Sequence, residues 1–121
     1  MSTTTESWPL ELRLNAAKDA LSVAFDSGEK FTLPAEFLRV ESPSAEVRGH
    51  GLDDGITVSG KRRVKISAVE PVGNYAVRLI FDDGHDTGLY SWALLLELGR
   101  EQREKWSAYL EELAAQGLNR D

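Results

Sequence analysis

The stretch that decides the fold is residues 64–81, which read VKISAVEPVGNYAVRLIF. Apolar side chains alternate with polar ones before its centre and again after it, which is typical of strands with one buried face. Pro71 to Asn74 lie between the two alternations and have the composition of a turn. The stretch therefore predicts a β-hairpin, and because Ile80 adds an apolar side chain to the second face, we predict that the second strand is central in its sheet.

Three shorter alternations precede the hairpin, at 10–14, 21–25 and 31–33. They predict strands in an antiparallel meander, with Leu10, Leu12 and Leu14 on the buried face of the first. Pro34 suits the first turn of a helix, where its missing N–H needs no acceptor, and so predicts a short helix over 35–40. Residues 41–60 show no period and are predicted to form a long loop.

Two helices are predicted after the hairpin. Ser91 is a natural N-cap for a helix over 92–98, with Gly99 as its end. Apolar residues at helical spacing then predict an amphipathic helix within 100–121. The predicted class is α+β: an antiparallel sheet built from the meander and the hairpin, a short helix after strand three and two C-terminal helices. Residues 1–8 are predicted to be a disordered N-terminus and 9–99 one domain, with the helix of 100–121 packed on or beside it.

Composition excludes several classes of function. The 121 residues contain no cysteine and carry a net charge of −6, which excludes disulfides and thiolate metal sites and disfavours nucleic acid as a partner. The basic residues at 61–65 open a predicted strand, where they protect an edge. No apolar run is long enough to span a membrane, and we predict a cytoplasmic protein.

Two segments resemble a known family: FLRVESPSAEV at 37–47 and FDDGHDTGLYSW at 81–92. They are similar to the amino-terminal domains of gamma-butyrobetaine hydroxylase-like proteins. In members fused to oxygenases, the resemblance implies a zinc module with three cysteines and one histidine. His85 matches the histidine, whereas Ser42, Ser44 and Val47 stand at the cysteine positions. Similar domains occur as stand-alone bacterial proteins and beside iron–sulfur carrier ATPases, which implies an accessory role.

Candidate functional residues form two sets. His85, His50 and Asp86 could bind zinc or another divalent metal through nitrogen and oxygen, although adjacent aspartates and a glycine are ordinary residues of a turn. A protein-interaction surface could use Arg39, Arg48, His50, Tyr90 and Trp92. For Tyr90 and Trp92 the alternative is the core, because both lie beside a helix that packs on a sheet.

No motif for a hydrolase or a kinase occurs. The leading hypothesis is therefore a non-catalytic accessory or interaction domain, without a cofactor, that has lost the zinc ligands of its family. It would bind a protein partner and be a monomer or a homodimer. The alternatives are a metal-binding protein that uses the three residues above and an accessory component of an oxidoreductase or iron–sulfur system.

Overall fold

The computed structural model describes residues 8–43 and 58–121, which form an α+β domain with two three-stranded antiparallel sheets. The predicted fold class is confirmed. The elements in chain order are β1 (Pro9–Leu14), β2 (Ala20–Phe25), β3 (Lys30–Pro34), α1 (Ala35–Val40), β4 (Ile66–Val72), β5 (Ala76–Phe81), β6 (Leu89–Ser91), α2 (Trp92–Arg100) and α3 (Gln102–Ala115).

The meander forms the first sheet, in the order β1-β2-β3. Pro9 pairs with Phe25 but Glu11 already pairs with Ala24, so Leu10 is the extra residue of a β-bulge. Because a bulge breaks the alternation of faces, Leu10 is 72% exposed. The prediction that Leu10 lies on the buried face was wrong for this reason. Residues 1–7 of the predicted disordered N-terminus lie outside the described residues.

The hairpin forms the second sheet, in the order β4-β5-β6, and the prediction that β5 is central is confirmed. Its turn lies at residues 73–75 and not at Pro71, which pairs with Val77 inside β4. A proline is tolerated there because β4 is an edge strand, where one missing N–H leaves no ladder bond unmade.

Of the C-terminal helices, α2 packs on β3 and β6, and α3 packs on α2. Ser91 caps α2, with its Oγ accepting a hydrogen bond from the Leu94 N–H at 3.0 Å, as predicted. Gly99 does not end α2, which continues to Arg100. A Cβ at Gly99 would lie 2.4 Å from the Phe31 ring, so this glycine allows close packing of α2 on β3. In α3, Trp106 packs edge-on against Phe37 of α1.

One hydrophobic core joins both sheets with α1 and α2. Its largest fully buried side chains include Phe25, Phe37, Phe81 and Tyr90. Within 8–43 and 58–121, no helix has the length and apolar character that crossing a membrane requires.

Candidate functional site: a buried polar cluster around His85

His85 lies in the turn that follows β5. The N–H of Phe81 donates to the His85 carbonyl at 2.9 Å, and Gly84 adopts a φ of 93° within the turn. A positive φ of this kind favours glycine. The imidazole points inward, packs near the Phe81 ring and is only 4% exposed. The residues between Phe81 and His85 therefore form a turn, which is one of the two interpretations that their sequence allowed.

The imidazole of His85 joins a chain of buried hydrogen bonds. Its Nε2 lies 2.9 Å from Oγ of Ser42, and the Ser42 hydroxyl is hydrogen-bonded in turn to the Tyr90 hydroxyl. Tyr90 donates its own proton to the carbonyl of Leu38 at 2.5 Å. Burial raises the pKa of Tyr90, so this proton stays in place at neutral pH.

The positions of the protons in this series of hydrogen bonds follow from its last bond, between Tyr90 and the Leu38 carbonyl. Because Tyr90 donates to Leu38, its oxygen accepts from Ser42, and because Ser42 has one proton, its oxygen accepts from Nε2 of His85. This direction of bonding requires a proton on Nε2 of His85. Ser42 and His85 are both buried, so both side chains are shielded from solvent.

A charged group of residues adjoins this chain. The Asp83 carboxylate accepts hydrogen bonds from Arg39 Nε at 2.8 Å, Lys61 Nζ at 2.6 Å and the His85 N–H at 3.1 Å. Burial raises the pKa of Asp83, but the bonds from Lys61, the His85 N–H and Arg39 outweigh it and lower the pKa to about 2. Asp83 therefore ties α1 and the segment before β4 to the histidine turn.

The donor set does not fit a structural zinc site. Such a site needs four thiolate or imidazole ligands, whereas the described ligand position besides His85 is the hydroxyl of Ser42, already hydrogen-bonded to Nε2. Across 8–43 and 58–121, no three histidine, cysteine, aspartate or glutamate side chains are grouped to hold a metal ion. Ser44, Val47, Arg48 and His50 lie outside the described residues. Asp86 is exposed.

The predicted interaction residues that the structure describes differ in their exposure to solvent. Tyr90 is fully buried, which places it in the core and not on a surface, since its ring fills space between α1 and β5 and its hydroxyl is used inside. Arg39 is also buried, against Asp83. Trp92 is half-buried and donates from Nε1 to the Asn74 carbonyl at 2.8 Å. The large apolar side chains left exposed near it are Tyr75 and Leu89.

Sequence reasoning missed the residues that hold the cluster from outside. Arg120 forms a two-pronged ion pair with Glu36 at 2.9 and 2.7 Å, and its guanidinium lies 5.2 Å from the Trp106 ring centre. Backbone hydrogen bonds from Gly60 to Asn119 and from Arg62 to Arg120 flank Lys61. These partners lie far apart in the chain, Arg120 and Glu36 by 84 residues. The sequence showed only that the two side chains carry opposite charges, which does not predict that they meet.

The fold and the cluster define a small α+β domain in which a histidine turn is buried against the loop after the first helix. Residues 12–96 match the family described as gamma-butyrobetaine hydroxylase-like, N-terminal. The chain belongs to this family. No functionally curated protein matches it.

Solved structures of similar proteins agree with this assignment. Two proteins with solution NMR structures are 45% and 47% identical in sequence to this chain, with TM-scores of 0.81 and 0.80. The alignments cover 95% of this chain and 90% of the first, and 99% of this chain and 89% of the second. A DUF971 family protein of unknown function from Acidithiobacillus ferrooxidans, known from a crystal structure, is 38% identical in sequence to this chain, with a TM-score of 0.63. The alignment covers 75% of this chain and 91% of that chain.

Proposed function

We propose that this chain is a non-catalytic, cytoplasmic accessory domain that binds a protein partner, and that hydrogen bonds replace the metal site of its zinc-binding relatives. The observation that carries the proposal is the buried bond between Ser42 and His85. It engages Nε2 of His85 with a neutral hydroxyl, and it links the loop after α1 to the turn after β5, the two segments that a zinc ion would link in the resembling domains.

The partner surface is the exposed side of the 82–92 segment. Leu89 is 48% exposed and Tyr75 is 65% exposed, and the backbone of Tyr75 accepts a hydrogen bond from Trp92. Tyrosine is one of the residue types enriched at binding hot spots, and Leu89 adds apolar surface that a partner would remove from water. The network behind the segment holds it rigid through His85 and Asp83, which lowers the ordering cost of binding.

Metal titration of the full chain tests the first half of the proposal. We expect proton–nitrogen NMR spectra with zinc, nickel or iron(II) to show no saturable shift at His85. The matched variant S42C/S44C/V47C supplies the three thiolates of the family, and we expect it to bind zinc with one ion per chain. Saturable, equimolar zinc shifts at His85 and His50 in the unmodified chain would overturn the proposal in favour of the metal-binding alternative.

Site-specific photo-crosslinking in cells tests the second half. A photoreactive residue at Leu89 should give one product of defined mass, and the same residue at Leu110, exposed on α3, serves as the control. Equal products at both positions, or none at Leu89, would contradict a partner surface at 82–92. Turnover of a small metabolite that is lost in H85A would contradict the non-catalytic role.

A further inference from the structure

The free edge of β1 is a second surface with a defined pattern of charge. In the sheet β1-β2-β3, β2 covers one side of β1, and within the described residues no strand pairs with the other side. Glu11 and Arg13 are both exposed on this strand and form an ion pair with each other. An unpaired edge presents N–H and C=O groups to any strand of matching register.

The direction of these backbone groups follows from the pairing with β2. The N–H of Asn15 donates to the Ala20 carbonyl, and the register then sets Leu14 opposite Leu21. Backbone groups alternate between the two sides of an antiparallel strand. Glu11 and Arg13 therefore bond toward β2, whereas the N–H and C=O of Leu12 and Leu14 point away from the sheet.

We propose that β1 pairs antiparallel with β1 of a second copy of this chain about a two-fold axis at Leu12, joining two three-stranded sheets into one of six strands. In this register Leu12 exchanges both backbone hydrogen bonds with Leu12 of the second copy. Glu11 lies directly opposite Arg13 of the second copy, and Arg13 opposite its Glu11. Opposite charges facing each other across neighbouring strands stabilise the pairing.

The charges favour the axis at Leu12 over the two neighbouring axes, at Glu11 and at Arg13. A two-fold axis at Arg13 would set Arg13 against Arg13, and an axis at Glu11 would set Glu11 against Glu11. Like charges directly opposite each other are destabilising. The axis at Leu12 also brings exposed Leu10 opposite Leu14 of the second copy, which removes apolar surface from water.

The ladder is short because Pro9 lacks an N–H and the bulge at Leu10 distorts its end. A strand-edge contact of this length belongs among the smaller interfaces, so the dimer is in concentration-dependent exchange with the monomer. The edge of β1 belongs to the first sheet, whereas Leu89 of the proposed partner surface lies on β6 of the second sheet.

Sedimentation of the full chain between about 10 µM and about 1 mM tests the proposal. We expect a reversible dimer whose Kd rises about tenfold or more in R13E, because two attractive pairs become repulsive. The double variant E11R/R13E restores opposite charges across the axis, and we expect it to recover the original Kd. K30E on β3 has the same charge change as R13E and is the matched control.

Thiol pairing tests the register. The chain has no cysteine, so mixing E11C with R13C chains and oxidising them should give a mixed disulfide between opposite positions. E11C alone should not cross-link, because two Glu11 positions would be about 8 Å apart, beyond the reach of a disulfide. A monomer at every concentration, an equal effect of R13E and K30E, or equal cross-linking of E11C alone would each overturn the proposal.

Discussion

Ser42 and His85 lie 43 residues apart in the chain, and their side chains meet in a buried hydrogen bond of 2.9 Å. Gly88 makes room for this contact, since a Cβ there would lie 2.5 Å from Ser42 Oγ. The bond holds the loop after α1 against the turn after β5. Its energetic weight, and that of the contacts around it, can be measured through stability.

Asp83 should make stability depend on acidity in a defined window. Its folded pKa of about 2 lies below the ordinary value of 3.8, so its contribution is present above about pH 4 and is lost as the pH falls to about 2. We expect D83N to lower the free energy of unfolding by about 1–2 kcal/mol at pH 7. Urea denaturation from pH 7 to pH 2 should show this difference shrinking. D86N, at an exposed aspartate, is the control, and an equal loss in both would contradict the prediction.

Removing the Tyr90 hydroxyl should lower the free energy of unfolding by more than the loss of one exposed hydroxyl would. Y90F leaves the Leu38 carbonyl without its donor and the Ser42 hydroxyl without its acceptor inside the core. Buried unsatisfied groups cost about 1–3 kcal/mol, and we expect a loss in this range by chemical denaturation. Y75F removes a hydroxyl from an exposed ring and should change stability by less than about 0.5 kcal/mol. Equal effects would show that the network does not stabilise the fold.

Replacing Gly99 should reverse the usual helix rule. Alanine normally stabilises a helix by about 1 kcal/mol relative to glycine, but here its Cβ would meet Phe31 at 2.4 Å. We expect G99A to destabilise the domain by about 1–3 kcal/mol. In an F31A background the clash is gone, and the same substitution should be neutral or stabilising. A stabilising G99A in the unmodified chain would refute the close approach of α2 and β3.

The ion pair between Arg120 and Glu36 should stabilise the C-terminal tail. Glu36 is only 6% exposed, so R120M leaves its carboxylate buried without its partner. We expect a loss of about 1–3 kcal/mol, less than for a fully buried pair because Arg120 is partly exposed. R62M breaks an exposed pair with Asp121 and should cost less than about 1 kcal/mol. Thermal unfolding of both variants separates the two cases, and a larger effect of R62M would contradict the assignment.

Much of the fold could be predicted because its signals are local. The alternation in 64–81 and the N-cap at Ser91 are properties of a few consecutive residues, and the structure confirms the hairpin and the start of α2. The errors arose where packing overrides a local rule. The bulge turned Leu10 outward. Gly99 lies inside α2 and does not end it, at a position where the Phe31 ring leaves no room for a Cβ.

The sequence by itself determined the α+β class, the family and the absence of cysteine at the ligand positions, since these depend on residue type and on short-range periodicity. Only the tertiary structure decided what His85 does: it turns inward onto Ser42 and Tyr90, while Asp83 collects Arg39 and Lys61. The physical reason is distance along the chain. A hydrogen bond between residues tens of positions apart depends on how both sheets pack around one core, which no local pattern encodes.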